Sequence, residues 1–174
     1  MSEAILGRQL SARAPSEPAL ARWIALLLPL ALLGGALGSQ YLGGLVPCEM
    51  CYWQRWPHGA AILLAGLAFT ASPASQRSRG LTLVAALAIA VSGAIGVYHA
   101  GVELGIFEGL TTCTSMASGA TNADLLNSIM TAPLVRCDQV QFAFLGISMA
   151  GWNAILSLGG AALIGWLTLK EGSA

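Results

Sequence analysis

The sequence predicts an all-α membrane protein, a bundle of four transmembrane helices with two extracytoplasmic loops that each carry a cysteine pair. Only 9% of the 174 residues are charged, whereas soluble domains carry about a quarter. The hydrophobic fraction is 56%, and several uncharged stretches reach the roughly 20 residues that a helix needs to cross the hydrocarbon core. The net charge of zero argues against a nucleic-acid-binding protein, because no basic surface is available for phosphates.

Three of the four spans are long and uncharged, and they are predicted at residues 23–45, 81–101 and 149–169. The apolar sequence that leads into the last of them begins at residue 142. That stretch is longer than one crossing requires, so we expect its first part to lie at the membrane interface.

The second span, residues 52–71, is the weakest of the four. Its purely apolar part begins only at Gly59 and is too short to cross alone. The preceding turns contain aromatic residues together with Arg55 and His58. Aromatic rings favour the headgroup level and an arginine near a helix end can reach water, so we expect this helix to begin near Cys51.

The basic residues orient the bundle. Six of the eight flank the spans on the side of both termini, and an excess of Lys and Arg marks the cytoplasmic side. A cleavable signal peptide is the alternative interpretation of the first span, but its loss would leave the cysteines outside. We therefore predict a cytoplasmic tail (1–22), one membrane domain (23–170) with outer loops at 46–51 and 102–148, and a cytoplasmic C-terminus (171–174).

The second outer loop contains one apolar cluster. Leu125, Leu126, Ile129 and Met130 follow the spacing of a short amphipathic helix. Such a helix would lie on the membrane surface or form a small packed lid, and the sequence favours neither.

All four cysteines fall in the outer loops: Cys48 and Cys51 in the first, Cys113 and Cys137 in the second. An oxidising compartment allows two disulfides with three possible pairings. The C-x-x-C ring is a weak staple but suits thiol–disulfide exchange, because the second sulfur stays beside the first. A zinc site is disfavoured, since the second pair is widely split, and we assign no metal ligands.

The surroundings of Cys51 favour a reactive thiolate. A helix that begins near Cys51 places Arg55 and His58 on the same face, one and two turns further on. The helix N-terminus and the arginine would both stabilise the thiolate. Pro57 means that the helix either continues with a bend or begins only near Trp56. His99 and Glu103, four residues apart, are interface anchors in the simpler interpretation and a proton relay in the other.

A thiol relay outside a membrane must dispose of two electrons. The sequence has no Rossmann glycine pattern and no paired haem ligands, which leaves a quinone dissolved in the bilayer as the acceptor. A quinone ring would meet the protein at the outer end of the second span. Arg55 could there stabilise negative charge that develops on a quinone oxygen.

The motif "PCEMCYWQR", the four predicted spans and the later "CDQVQFAFLGISMAGWNAI" resemble the disulfide bond formation protein B (DsbB) family of bacterial inner membranes. The resemblance covers nearly the whole chain from the first span to the last. It places the outer loops in the periplasm and implies a DsbA-like thioredoxin-fold thiol oxidase as partner. It also implies ubiquinone or menaquinone as electron acceptor, a route that is a known property of the family.

The resemblance further implies roles for individual residues. Cys113 would form the mixed disulfide with the partner protein, and in the resting loop Cys137 would form a disulfide with Cys113. Electrons would pass to the Cys48–Cys51 pair through a disulfide between the loops, and Cys51 would engage the quinone. Arg55 falls on the quinone-site arginine of the family, and we place Gln54 and His58 in the same site.

Two other functions compete with this one. A membrane scaffold stapled by disulfides would need no reactive cysteine. An oxidoreductase like vitamin K epoxide reductase also has four helices and external cysteines, but its quinone-side C-x-x-C comes late in the chain and this one comes early.

Overall fold

The computed structural model describes residues 16–109, 121–124 and 135–170. Cys113, the apolar cluster of the second loop and most of the N-terminal tail lie outside these residues. The described elements are helix α1 (Glu17–Tyr41), helix α2 (Glu49–Ala68), helix α3 (Gln76–Glu103), strands β1 (Ala143–Phe144) and β2 (Ile147–Ser148), and helix α4 (Met149–Lys170).

Three of these helices, α1, α3 and α4, are long and apolar enough to cross a membrane. Large apolar side chains such as Leu27, Leu87 and Trp166 are exposed on them, as expected where lipid is the solvent. Helix α2 has 20 residues but does not meet the same apolar criterion, because Gln54, Arg55 and His58 occupy its first half. The four-span count therefore stays a prediction.

Helix α1 begins at Glu17, before the predicted start of the first span at residue 23. Pro18 lies in its first turn, where a missing N–H costs nothing. Arg22 is buried and donates to the carbonyls of Ala68 and Ala71 at 3.2 and 2.9 Å. This cation meets the negative end of the α2 dipole, which explains how the helix accommodates an arginine in its buried face.

Helix α2 begins at Glu49 and continues through Pro57. Of the two predicted alternatives, the structure therefore has the long helix, with Cys51 in its first turn. Cys48 is the N-cap residue, and its sulfur accepts a hydrogen bond from the Cys51 N–H at 3.3 Å. The helix thus starts at the cysteine pair itself.

The segment before α4 is a small antiparallel hairpin, so the helix does not extend over the first part of the last apolar stretch. Leu145 and Gly146, between the strands, both have positive φ, at 53° and 78°. A two-residue hairpin turn with positive φ at both positions matches the twist of the strands, at some cost for a leucine.

Helix α3 packs mainly against α2 and α4. The apolar core is built largely from alanines such as Ala61, Ala65 and Ala85, so that the helices approach closely. At Gly96, an added Cβ would lie 3.0 Å from the carbonyl oxygen of Ala150. The backbones of α3 and α4 are thus nearly in contact at this level.

One end of the bundle is held together by basic side chains. Arg22 contacts the end of α2, Arg79 donates to the carbonyl of Thr168 at 2.9 Å, and Lys170 lies 2.9 Å from Glu17. The start of α1 and the end of α4 therefore meet at this end, and the cysteine pair lies at the other end of α2.

Candidate functional site

The cysteine pair lies at the N-terminus of α2. The sulfur atoms of Cys48 and Cys51 are 2.8 Å apart, and both residues carry thiols in the structure. Cys48 is buried and Cys51 is partly exposed. The two sulfurs can close to a disulfide with a small movement, because the first turn of the helix already holds them side by side.

The two thiols differ in acidity. The hydrogen bond from Cys48 lowers the pKa of Cys51, and the charge of Arg55 lowers it further, while burial acts in the opposite direction. The same sulfur–sulfur hydrogen bond, together with burial, raises the pKa of Cys48. Cys51, one residue before the predicted second span, is therefore the more acidic thiol of the pair, and the Cys48 thiol donates a hydrogen bond to its sulfur.

Arg55 is held in place by α1. It donates to the side-chain oxygen of Gln40 and to the carbonyl of Ala36 at 3.2 Å, and its guanidinium lies 5.0 Å from the Tyr52 ring centre. Its Nε is buried and has no hydrogen-bond partner in the part of the chain that the structure describes. One donor of this arginine is thus left for another molecule.

His99 and Glu103, at the end of α3, also lie beside the pair. The Nε2 atom of His99 is 3.5 Å from the sulfur of Cys48 and 3.9 Å from a carboxylate oxygen of Glu103. Glu103 in turn accepts a hydrogen bond from Ser148, at the end of the hairpin. Both residues lie beside the reactive sulfurs, although their sequence positions favoured interface anchoring. The sequence signal for this placement was their four-residue spacing at the outer end of a span, which puts both side chains on one helix face.

Gln54 and His58 belong to a buried polar network. Gln54 contacts His99 and Asn153, at 2.8 and 2.7 Å. His58 lies 2.9 Å from both Asn153 and Ser92. Sequence reasoning did not single out Asn153 or Ser92, and the available signal was only that each is a polar residue inside an apolar span.

Cys137 is brought to the same place by the second loop. It is buried and packs in one cluster with Cys48, Met50 and Val102. Arg136 and Asp138 on either side of it form an exposed ion pair, which lowers the pKa of Asp138. The structure therefore gathers three of the four predicted redox cysteines, and the fourth, Cys113, lies outside the described residues.

A cavity of about 580 Å³ opens beside the pair. Its walls come from α1, α2, the end of α3, the hairpin and the start of α4, and most of them are apolar. Five of the predicted site residues line it: Cys48, Cys51, Gln54, Arg55 and His58. A volume of this size accommodates a small aromatic or quinoid ring system.

The same sulfurs could in principle hold a metal ion. Ligand atoms of Cys48, Cys51 and His99 all lie within 4.8 Å of one another. However, thiolates around tetrahedral zinc lie about 3.8 Å apart, given Zn–S bonds of about 2.3 Å. The observed sulfur separation of 2.8 Å is too short for two zinc ligands and suits a pair that closes to a disulfide.

Comparisons with known proteins agree on one family. A sequence model described as "Disulfide bond formation protein DsbB" matches residues 18–167. Disulfide bond formation protein B of Methylococcus capsulatus is 33% identical, over 78% of this chain and 86% of the relative. The protein of the same name from Aromatoleum aromaticum is 30% identical, over 71% of this chain and 76% of the relative. An uncharacterised protein of Rickettsia prowazekii is 24% identical over 78% of each chain. No solved structure gives a significant match.

Proposed function

This chain belongs to the DsbB family of membrane proteins for disulfide bond formation, and we propose that it oxidises a periplasmic DsbA-like dithiol protein and passes the two electrons to a membrane quinone. The observation that carries the proposal is the position of the Cys48–Cys51 pair. Its sulfurs lie 2.8 Å apart at a helix N-terminus, on the wall of a cavity that Arg55 also lines.

The proposed topology has four spans, with α2 as the second. Arg22, Arg79 and Lys170 lie at the end of the bundle opposite the cysteines. An excess of basic residues marks the cytoplasmic side, so the cysteine end faces the periplasm and both termini are cytoplasmic. The inner membrane of a bacterium is the compartment that fits this orientation and the redox chemistry.

The residues of the cavity support a quinone site. Arg55 Nε and His58 Nδ1 are both buried without a hydrogen-bond partner among the described residues. Arg55 thus offers a donor for a quinone oxygen, and Cys51 supplies the thiolate beside it. Gln54 lines the same cavity, but both ends of its amide are bonded to protein groups, which favours a structural role. Ubiquinone or menaquinone bound there would supply the acceptor for two electrons and two protons.

The exchange begins in the second loop. A thiolate of the partner attacks the Cys113–Cys137 disulfide at Cys113, and Cys137 leaves as a thiolate. Cys137 then attacks Cys48, and Cys51 is released as a thiolate. The packing of Cys137 against Cys48 supports this order.

The second half of the exchange restores the loop. The second thiol of the partner resolves the mixed disulfide, which releases oxidised partner and frees Cys113. Cys113 attacks Cys137, and Cys48 leaves. The two electrons are then on Cys48 and Cys51, which give them to the quinone and return to the disulfide.

The test is reoxidation of a reduced DsbA-like protein by the purified membrane protein, with and without added quinone. We expect turnover only with quinone, no turnover with Cys51→Ser, and a stable mixed disulfide with the partner in Cys137→Ser. Full turnover of the Cys48→Ser/Cys51→Ser double variant would refute the proposal.

Inactive protein whose cysteine replacements change only stability would favour a disulfide-stapled scaffold. The family match decides against the vitamin K epoxide reductase-like alternative.

A further inference from the structure

A line of polar side chains, all buried except the half-buried Asn153, crosses three helices and ends at the cysteine pair. It runs from Ser92 in α3 to Asn153 in α4, then to Gln54 in α2 and back to His99 in α3. The exchange steps above do not use Asn153, Ser92 or Gln54. The directions of the hydrogen bonds along this line can be worked out from its fixed groups.

The first fixed group is the backbone carbonyl of Ser92. It can only accept, so the Asn153 atom that lies 3.2 Å away must be the NH₂ group. The same NH₂ group lies 2.7 Å from Gln54, so the facing Gln54 atom is the amide oxygen. The other end of Asn153 is its oxygen, which accepts from Ser157 at 2.9 Å.

The second fixed group is the backbone carbonyl of Met50. It lies 3.2 Å from the remaining end of the Gln54 amide, which must therefore be the NH₂ group. The Ser92 and Met50 carbonyls thus give the same orientation of the Gln54 amide independently. Its oxygen faces Asn153 and its NH₂ group faces Met50. Its NH₂ group also lies 2.8 Å from Nδ1 of His99.

A donor at this distance requires a lone pair on Nδ1. The neutral imidazole then has its proton on Nε2. Nε2 is the atom that lies 3.5 Å from the Cys48 sulfur, and Glu103 is 3.9 Å from the same atom. The His99 ring also donates to the backbone carbonyl of Cys137, which likewise requires the proton on the nitrogen that does not face Gln54.

We propose that Asn153 and Gln54 are positioning residues that fix His99 as the tautomer with its proton on Nε2, so that His99 donates a hydrogen bond to the sulfur of Cys48. The inference rests on the proposed function. In the last exchange step, the Cys113–Cys137 bond forms, the Cys48–Cys137 bond breaks and the electron pair goes to Cys48. The Nε2–H group stabilises the thiolate that leaves, and no base is required at His99 in this step.

The tautomer can be observed directly. In the full-length protein in detergent, labelled with ¹⁵N-histidine, the two ring nitrogens of His99 report which of them carries the proton, and His99→Gln assigns the signals. We expect the proton on Nε2 in the wild type and on Nδ1 in Gln54→Glu, because a carboxylate accepts where the amide donated. A wild-type ring with its proton on Nδ1 would overturn the proposal.

The kinetic test separates positioning from structure. Asn153→Leu should mix the two tautomers and slow kcat for partner oxidation about tenfold, with the KM for the partner protein unchanged. Ser157→Ala is the matched control, since Ser157 contacts Asn153 only at the oxygen end. Gln54→Met, of similar size, provides a second variant if Asn153→Leu does not fold. Wild-type tautomer and kcat in both variants would refute the inference.

The two proposals can fail separately. The nuclear magnetic resonance measurement needs neither quinone nor partner. The expected tautomer in a protein without quinone-linked activity would overturn the proposed function alone. Quinone-linked activity with the proton on Nδ1 would overturn the positioning role alone.

Discussion

At the scale of single residues, the chemistry depends on one polarised sulfur pair. The C-x-x-C spacing, Arg55 and the helix N-terminus were predictable, because all lie within two turns of one helix. The partners across the bundle were not. That Asn153 meets Gln54 and His58 depends on how each helix is rotated, and hydropathy reports only that a segment is apolar.

We predict that Cys51 is alkylated at lower pH than an ordinary thiol. A lowered pKa keeps the thiolate populated as the pH falls, so removing a stabilising group moves the midpoint upward. Cys48→Ala should raise the midpoint most and Arg55→Met less, in the order of their effects on the pKa of Cys51. The measurement is the rate of reaction of reduced protein with iodoacetamide against pH, with the modified residue located by mass spectrometry.

Arg79→Met is the control, because Arg79 lies at the other end of the bundle. An unchanged midpoint in both Cys48→Ala and Arg55→Met would contradict the assignment of the thiolate.

At the scale of elements, the helix cores were predictable and their ends were not. Helix α4 covers the residues of the last predicted span, 149–169, and the hairpin before it sets where the helix begins. The start of α1 at Glu17 was missed, since hydropathy does not register a polar first turn. That turn depends on Pro18 and on the burial of Arg22 against the end of α2.

We predict that Gly96→Ala loosens the contact between α3 and α4. The new Cβ would lie 3.0 Å from Ala150 O and 3.1 Å from the side-chain nitrogen of Asn153. Overpacking of this kind costs about 1–3 kcal/mol in the free energy of unfolding. The midpoint of thermal unfolding in detergent should therefore fall, together with turnover.

Gly159→Ala is the matched control, since an added Cβ there meets nothing within 4 Å. Equal effects of the two alanines would show that α3 and α4 do not touch at Gly96.

At the scale of the whole molecule, the two ends of the bundle differ in what holds them. Arg22, Arg79 and Lys170 hold one end together, and the described cysteines lie at the other. The fold class could be predicted because lipid demands long apolar helices. The position of Cys137 could not, because it depends on a loop whose path no periodicity describes.

We predict opposite accessibility for the two ends. In a cysteine-free background, Val140→Cys should react with an impermeant maleimide added to cells whose outer membrane alone is permeable. Ala74→Cys, exposed between α2 and α3, should react only after the inner membrane is opened. The reverse pattern would exclude the proposed orientation.

The sulfur of Cys48 also caps the N-terminus of α2. Because this sulfur accepts a hydrogen bond from the Cys51 amide, the redox state of the cysteine pair affects how well the first turn of α2 is ordered. A bridged sulfur is a poorer acceptor than a reduced one, so oxidation should fray this turn. Deuterium uptake at the Cys51 amide should therefore be slower in reduced than in oxidised protein, so that this backbone group reports the redox state of the pair.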